Sequence, residues 1–249
     1  MKKTLSVFFL LLMVAFLGSV MVGKTILSFQ TLGAIFQGTA SSSQVLTFTE
    51  FRLPRACLAL IAGGAFGFSG FVLQGVTRNE LADASIVGIN NGAGLFVLIY
   101  LGFYTQGSQL LPVVGIIGGL LAAVLVYLIA YKHRQLLSME RVLLAGIAVN
   151  AGLAAATLLF TVELSKDRYR FVTAWLSGSI WGTSWQQITS LLPWVIVLSA
   201  AAFWTVPRFN LLGFGEEQAI SLGVSLTRLR TWFLVIAVGL AASTVGYTG

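Results

Sequence analysis

Few side chains in this sequence could carry out chemistry, and those few are scattered along the chain. His133 is the only histidine, Cys57 is the only cysteine, and the aspartates are Asp83 and Asp167. His133 lies in a basic turn, whose flanking cations disfavour a bound metal ion. Cys57 lies in an apolar run, where we expect it to pack, and a single cysteine forms no intrachain disulfide. The sequence therefore argues against an enzyme and predicts neither a catalytic residue nor a metal ligand.

One stretch matches a nucleotide-binding motif by its letters. Residues 18–25 read Gly-Ser-Val-Met-Val-Gly-Lys-Thr, which fits the pattern G-x-x-x-x-G-K-[ST]. A working phosphate loop follows a buried strand in a soluble α/β domain, whereas this match ends a long apolar run. We interpret the match as coincidental and expect any ATPase to be another chain.

The composition is typical of a membrane protein. The 249 residues are 57% hydrophobic and 9% charged, with a mean hydropathy of +0.91, whereas soluble domains carry about 25% charged residues. The alternating segments of about ten residues that a membrane β-barrel requires are not visible. The net charge of +7 comes from cations between apolar runs, as the positive-inside rule describes. We predict an all-α, polytopic membrane helix bundle and no nucleic-acid partner.

Seven apolar segments reach the length that crosses a bilayer, about 20 residues. The first is longer than the apolar region of a signal peptide, so we expect an uncleaved helix. The last runs to Gly249 without a flanking charge. We therefore expect residues 1–249 to be a single permease domain, truncated at its C-terminus. The segments are about Leu5–Leu27, Ala56–Val76, Ile86–Tyr104, Leu110–Tyr131, Val142–Val162, Ile188–Val206 and, lastly, Thr231 onward.

The basic residues predict a cytoplasmic N-terminus, because lysine and arginine are enriched on the cytoplasmic side of membrane helices. With this orientation, nine of them lie inside and six outside. The inner set is Lys2, Lys3, Arg78, Lys132, Arg134, Arg141, Arg208, Arg228 and Arg230, and the outer set is Lys24, Arg52, Arg55, Lys166, Arg168 and Arg170.

Glycines spaced four residues apart predict close contacts between helices, since small residues let helix backbones approach each other in a membrane. The pairs are Gly63/Gly67, Gly88/Gly92, Gly115/Gly119 and Gly178/Gly182.

Two sites stand out among the polar residues. Arg52 and Arg55 flank Pro54 at the start of the second segment, where proline favours the first turn of a helix. Because arginine pairs with carboxylates through two hydrogen bonds, these side chains could bind acidic residues of an external protein. The alternative is that they anchor the chain to lipid headgroups.

The second site follows the sixth segment. Glu216 and Glu217 would begin a short helix, where carboxylates favour the helix dipole, and Gly223 would end it. A helix of about seven or eight residues is marginal by itself in water, so we expect it to rest on a cytoplasmic partner as a coupling helix. The alternative is an ordinary loop helix.

Both sites belong to a wider resemblance. The segments Arg52-Leu-Pro-Arg55, Ser69-Gly70 with Leu73-Gln-Gly75, Arg78 to Asp83, Gly88 to Ala93, Arg141 to Ala148, and Leu211 to Val224 resemble the FecCD-type permeases. These are the membrane subunits of importers for iron-siderophores, haem and vitamin B12. The chain departs from that pattern at Asn79-Glu80 and Ala84-Ser85, where the family has Asn-Pro and a Pro or Gly.

The resemblance implies a ten-helix subunit in a bacterial cytoplasmic membrane, paired with an identical or a similar subunit. It also implies two cytoplasmic ATPases, which would bind ATP and magnesium, and an extracytoplasmic binding protein. This chain itself would bind no cofactor.

The resemblance further assigns roles to residues of this sequence. Arg52 and Arg55 would dock the binding protein. The translocation pathway would include Gly146, Asn150 and Gly152, although Asn150 could instead make a helix–helix hydrogen bond. The ATPase would contact Gly215, Glu216, Glu217, Gln218, Ala219, Ser221, Leu222 and Gly223.

The resulting hypothesis is ATP-driven import of a ferric siderophore by alternating access. The same fold importing cobalamin, haem or another metal chelate is an open alternative. An ion-gradient-driven transporter is a further alternative, but such a protein should carry ionisable residues in the middle of its membrane helices. Here the charges lie at the helix ends, which argues against it.

Overall fold

The computed structural model describes residues 2–104, 110–132, 136–212, 216–221, 223 and 225–248, and over these ranges the regular secondary structure is entirely helical. A π-helical stretch, Thr47–Arg52, leads into α4, and a 3₁₀ turn, Ala84–Val87, precedes α5. The helices are α1 (Lys2–Met21), α2 (Phe29–Phe36), α3 (Ser42–Leu46), α4 (Leu53–Thr77), α5 (Ile89–Phe103), α6 (Leu111–Ala130), α7 (Met139–Val162), α8 (Lys166–Leu176), α9 (Trp185–Leu212), α10 (Glu216–Ser221) and α11 (Leu226–Thr248).

All seven predicted segments are helical, and six of the described helices are long and apolar enough to cross a membrane. The exception is α5, which has 15 residues where a perpendicular crossing needs about 20. The predicted segment begins at Ile86, but the 3₁₀ turn and Gly88, at φ 84°, occupy its start. The predicted all-α, polytopic membrane fold is confirmed, and one of its seven segments is a short helix behind a turn.

The chain packs as two units. The first comprises residues 1–62 and 180–190, and the second comprises residues 63–179 and 191–249. In the first, Val20 and Leu27 from the α1 end pack with Phe48 and Ala56. In the second, the largest core cluster joins α4, α5, α6, α7 and α11. The prediction of a single permease domain stays a prediction.

The helices of the second unit end at two opposite faces. At one face, which we call the α8 face, Arg168 of α8 donates a hydrogen bond to the carbonyl oxygen of Gly102 near the end of α5. The backbone N–H of Ser179 donates to Thr248 at the end of α11. At the other, the α10 face, Arg230 donates to the carbonyl oxygen of Leu137, just before α7.

Some of the predicted glycine contacts between these helices are present. A Cβ atom on Gly92 would lie 2.5 Å from the carbonyl oxygen of Gly118, and one on Gly115 would lie 3.3 Å from the Cα of Gly246. The other pairs behave differently. A Cβ on Gly63 or Gly67 would meet no described atom within 4 Å. Gly178 and Gly182 lie outside helices at positive φ, so for that pair the helix-packing prediction is wrong.

Candidate functional site

The side chain of Arg52 binds the end of α1. Its Nη1 donates to the carbonyl oxygens of Val20 at 3.0 Å and Met21 at 2.8 Å. Its Nη2 donates to the carbonyl oxygen of Thr25 and, at 3.1 Å, to the Thr25 hydroxyl. The last carbonyls of a helix have no partner within the helix, and a cation there also favours the helix dipole. Arg52 therefore caps α1 from 31 residues away along the chain.

Gly23 provides the space for this arginine. A Cβ atom at Gly23 would lie 2.8 Å from Nη2 of Arg52, so a larger residue would displace the guanidinium. The segment that matches the nucleotide-binding pattern thus offers carbonyl oxygens to a cation. A phosphate loop instead presents backbone N–H groups to an anion.

The two predicted docking arginines differ in their surroundings. Arg52 is half-buried, whereas Arg55, in the first turn of α4, is exposed. Pro54, between them, is buried, and it has no N–H to continue the helical hydrogen bonds of the π-helical stretch that leads into α4. In the same unit, Nε1 of Trp185 donates to the carbonyl oxygen of Thr49 at 2.9 Å. Arg55 is therefore the arginine of the pair that is available to a partner, and its docking role stays a prediction.

Asn150, in the middle of α7, joins three segments through its amide. Its Oδ1 accepts a hydrogen bond of 2.8 Å from Nδ2 of Asn91 on α5. Its Nδ2 donates to the carbonyl oxygens of Ser85 at 2.9 Å and Ile86 at 3.2 Å. The alternative considered from the sequence, a helix–helix hydrogen bond, is present here, and a pathway role for Asn150 stays a prediction.

The 3₁₀ turn contacted by Asn150 lies well inside the span of α7. Gly146 and Asn150 are seven and eleven residues beyond the start of α7 at Met139, which is about 10 and 16 Å along a helix axis. Non-helical backbone at such a depth in a membrane must be hydrogen-bonded by protein. Asn150 supplies two of those bonds, and the Asp83 carboxylate accepts another from the N–H of Ser85 at 2.7 Å.

The other two predicted pathway residues differ in their surroundings: Gly146 is buried and Gly152 is exposed. A Cβ atom on buried Gly146 would collide with the carbonyl oxygen of Ile86, so only glycine lets α7 approach the turn this closely. Gly152 is exposed, and a Cβ atom there would meet no described atom within 4 Å. The exposed side of α7 around it carries small residues: Ala148, Ala151, Ala154 and Ala155.

The predicted coupling helix is present as α10. It runs from Glu216 to Ser221, and Gly223 follows at φ 79°, as expected for a glycine that ends a helix. Ala219 is fully buried in the largest core cluster, while Ile220 is 49% exposed. Predicted contact residues Gly215 and Leu222, like His133, lie outside the described residues. Contact with an ATPase stays a prediction for the whole set.

The site holds contacts that the sequence reasoning did not anticipate. Asn91 and Ser69 lie in segments that carry the family resemblance but have no predicted role, although a polar residue within an apolar membrane segment is the signal that finds them. Ser69 on α4 donates to the carbonyl oxygen of Ala237 on α11 at 2.7 Å. Among the described residues, no group of three or more His, Cys, Asp or Glu side chains could hold a metal ion.

The fold and these contacts define a multi-pass helical membrane protein whose polar residues form hydrogen bonds between its helices. The sequence model of the FecCD transport family matches residues 11–249. The chain therefore belongs to the FecCD transport family, and the resemblance read from its motifs is confirmed.

Individual relatives are similar over most of this chain. It is 37% identical to the iron(3+)-hydroxamate import system permease protein FhuG of Bacillus subtilis, over 98% of this chain and 75% of that protein. It is 31% identical to the ferric enterobactin transport system permease protein FepG of Escherichia coli, over 91% of this chain and 68% of that one. The cobalamin import system permease protein BtuC of Halobacterium salinarum is 34% identical, over 85% of this chain and 57% of that one.

A solved structure has the same fold. It is described as an inward-facing conformation of a metal-chelate type ABC transporter. The match has a TM-score of 0.86 and 25% sequence identity, and it covers 100% of this chain and 77% of that one.

Proposed function

We propose that this chain is the permease subunit of an ATP-binding-cassette importer that moves a ferric siderophore across a bacterial cytoplasmic membrane. The observation that carries the proposal is the 37% identity, over 98% of this chain, to an iron(3+)-hydroxamate permease. The relatives named for ferric enterobactin and Fe(3+)-citrate support the same class of cargo. The relative named for cobalamin keeps that cargo as the second candidate.

The proposed orientation places the α10 face in the cytoplasm. Cations of the second unit support this assignment, because more of them lie at or near the α10 face, as the positive-inside rule requires. The described residues there include Arg78, Lys132, Arg141, Arg228 and Arg230, and those at the α8 face are Lys166, Arg168 and Arg170.

In this orientation α10 would transmit the movement of a separate ATPase to the permease. Buried Ala219 attaches α10 to the core cluster that includes Leu226 at the start of α11. Exposed Ile220 leaves part of the short helix available to a partner. Closure of two ATPase subunits would then shift α10 together with α11, while this subunit carries out no covalent chemistry.

In the first unit, Arg55 would pair with a carboxylate of the extracytoplasmic binding protein, since it is the exposed member of the arginine pair. Arg52 would hold the end of α1 beside it. A second permease subunit would complete the pathway, along which α7 offers the exposed small residues around Gly152. Because these residues are uncharged, they would let a whole chelate pass and would offer no ligand that could remove its iron.

The test is uptake by the full-length permease reconstituted in liposomes with its ATPase and binding protein. We expect accumulation of a ⁵⁵Fe-siderophore that requires ATP and continues when ion gradients are collapsed. Uptake that needs a gradient but no ATPase would instead identify a secondary transporter. Accumulation of labelled cobalamin, with no accumulation of the ⁵⁵Fe-siderophore, would move the assignment to the second candidate cargo.

A further inference from the structure

Helix α8 packs against the second unit through one side only. Val172 is buried, and Arg168 donates to the carbonyl oxygen of Gly102 at 2.7 Å. The Trp175 ring packs against Gly115 of α6, since a Cβ atom added there would lie 3.5 Å from it. The Leu176 side chain packs against Gly94 of α5, where an added Cβ atom would clash with it. Spacings of three, four and seven residues put these side chains on a single face of the helix.

The opposite face of α8 is polar. Lys166, Arg170, Thr173 and Ser177 follow at intervals of four, three and four residues, and we call these four the α8 stripe. Lys166, Arg170 and Ser177 are exposed. The hydroxyls of Thr173 and Ser177 donate to backbone carbonyls of α8 itself, so they complete no contact with another helix.

Lys166 and Arg170, the two cations of the α8 stripe, lie at positions that are electrostatically unfavourable for a cation. Ser165 is the N-cap of α8, so Lys166 occupies the first helical position, at the positive end of the helix dipole. Lys166 and Arg170 are four residues apart, and like charges at that spacing repel. Within the described part of the chain, neither cation has an ion-pair partner. Asp167, in the first turn, offsets the dipole term, so an external anion would chiefly relieve the repulsion between the two cations.

The exposed side chains around these cations indicate that the anion belongs to a protein. Tyr169 and Phe171, on either side of Arg170, are 46% and 48% exposed. Tyrosine, phenylalanine and arginine are the residue types enriched at protein–protein interfaces. Carboxylates provide the complementary charge, and arginine binds them through two parallel hydrogen bonds.

We infer that the α8 stripe is a second docking surface for the binding protein, where Lys166 and Arg170 bind carboxylates of that protein. The inference rests on the proposed function and on the proposed orientation, which places the α8 face outside.

The experiment measures the affinity of the binding protein for the complete transporter in nanodiscs of zwitterionic lipid. The test variant is Lys166→Glu/Arg170→Glu, and Arg170→Glu is compared with the control Lys132→Glu, an exposed cation at the α10 face. We expect the double reversal to weaken binding by roughly tenfold or more, mainly through slower association and with a flatter salt dependence. Lys132→Glu should leave the affinity within about twofold of wild type, as expected for a charge outside the contact.

The outcomes separate this inference from the proposed function. Arg55→Glu serves as the reference for docking. If it weakens binding while Lys166→Glu/Arg170→Glu does not, the α8 inference is overturned and the proposed function stands. If the wild-type complex binds no binding protein, the proposed function itself fails. An equal loss in Lys132→Glu would show a general effect of the net charge and overturn the inference. A loss of affinity in Arg170→Glu that appears only in nanodiscs of anionic lipid would also overturn the inference.

Discussion

At the scale of single residues, the structure separates side chains that the sequence groups together. Arg52 and Arg55 share a motif, yet Arg52 donates its hydrogen bonds to the end of α1 while Arg55 is exposed. The motif shows that two arginines flank a proline, but not which of them points toward an earlier helix. That choice depends on the carbonyl oxygens of residues about 30 positions away, which local spacing does not encode.

We expect Arg52→Ala to destabilise the protein and Arg55→Ala to leave its stability nearly unchanged. Loss of the guanidinium leaves carbonyl oxygens at the end of α1 without their partner, which costs about 1–3 kcal/mol. The measurement is thermal unfolding of the purified protein in detergent, followed by size-exclusion chromatography. Equal melting temperatures for the two variants would contradict the capping role of Arg52.

Asn150 is the second residue whose role depends on distant partners. We expect Asn150→Leu to lower stability by about 1–3 kcal/mol, because it removes three hydrogen bonds, which join its amide to the carbonyl oxygens of Ser85 and Ile86 and to the amide of Asn91. Asn90→Leu is the matched control, since Asn90 is exposed one residue before Asn91. Thermal unfolding of both variants tests the prediction, and an effect of Asn90→Leu as large as that of Asn150→Leu would refute it.

At the scale of elements, the apolar runs predict which segments are helices because each helix in a membrane satisfies its own backbone. The same pattern misplaces the start of α5, since the turn at Ala84–Val87 is as apolar as the helix that follows. The turn is stable at that depth because Asn150 and Asp83 bind its backbone. Such bonds come from outside the apolar run, so hydropathy alone cannot reveal them.

The contact between α7 and this turn provides an element-scale prediction. We expect Gly146→Ala to reduce folded protein strongly, because its Cβ would collide with the carbonyl oxygen of Ile86. We expect Gly152→Ala to fold normally, because its Cβ meets open space. The yield of monodisperse protein after detergent extraction measures both. If Gly146→Ala folds as well as Gly152→Ala, then α7 can shift away from the turn and the close approach is not required.

The coupling assignment of α10 gives a further prediction at this scale. We expect Glu216→Lys/Glu217→Lys to uncouple ATP hydrolysis from transport, because two cations would stand at the positive end of a short helix and face the ATPase with inverted charge. The measurement is siderophore uptake per ATP hydrolysed in the reconstituted complex. A wild-type ratio in the double variant would refute the coupling assignment.

At the scale of the whole molecule, the charge distribution makes the orientation testable with this chain's own chemistry. Cys57 is the only cysteine in residues 1–249, so Cys57→Ala removes the thiol from this range, and single cysteines can then replace exposed Lys166 at the α8 face or exposed Lys132 at the α10 face. We expect a membrane-impermeant maleimide to label Lys166→Cys in intact spheroplasts, and to label Lys132→Cys only after permeabilisation. The positive-inside rule predicts this pattern. The reverse pattern would put α10 outside the cell, where no ATPase could reach it, and would refute both the coupling role of α10 and the docking role of α8.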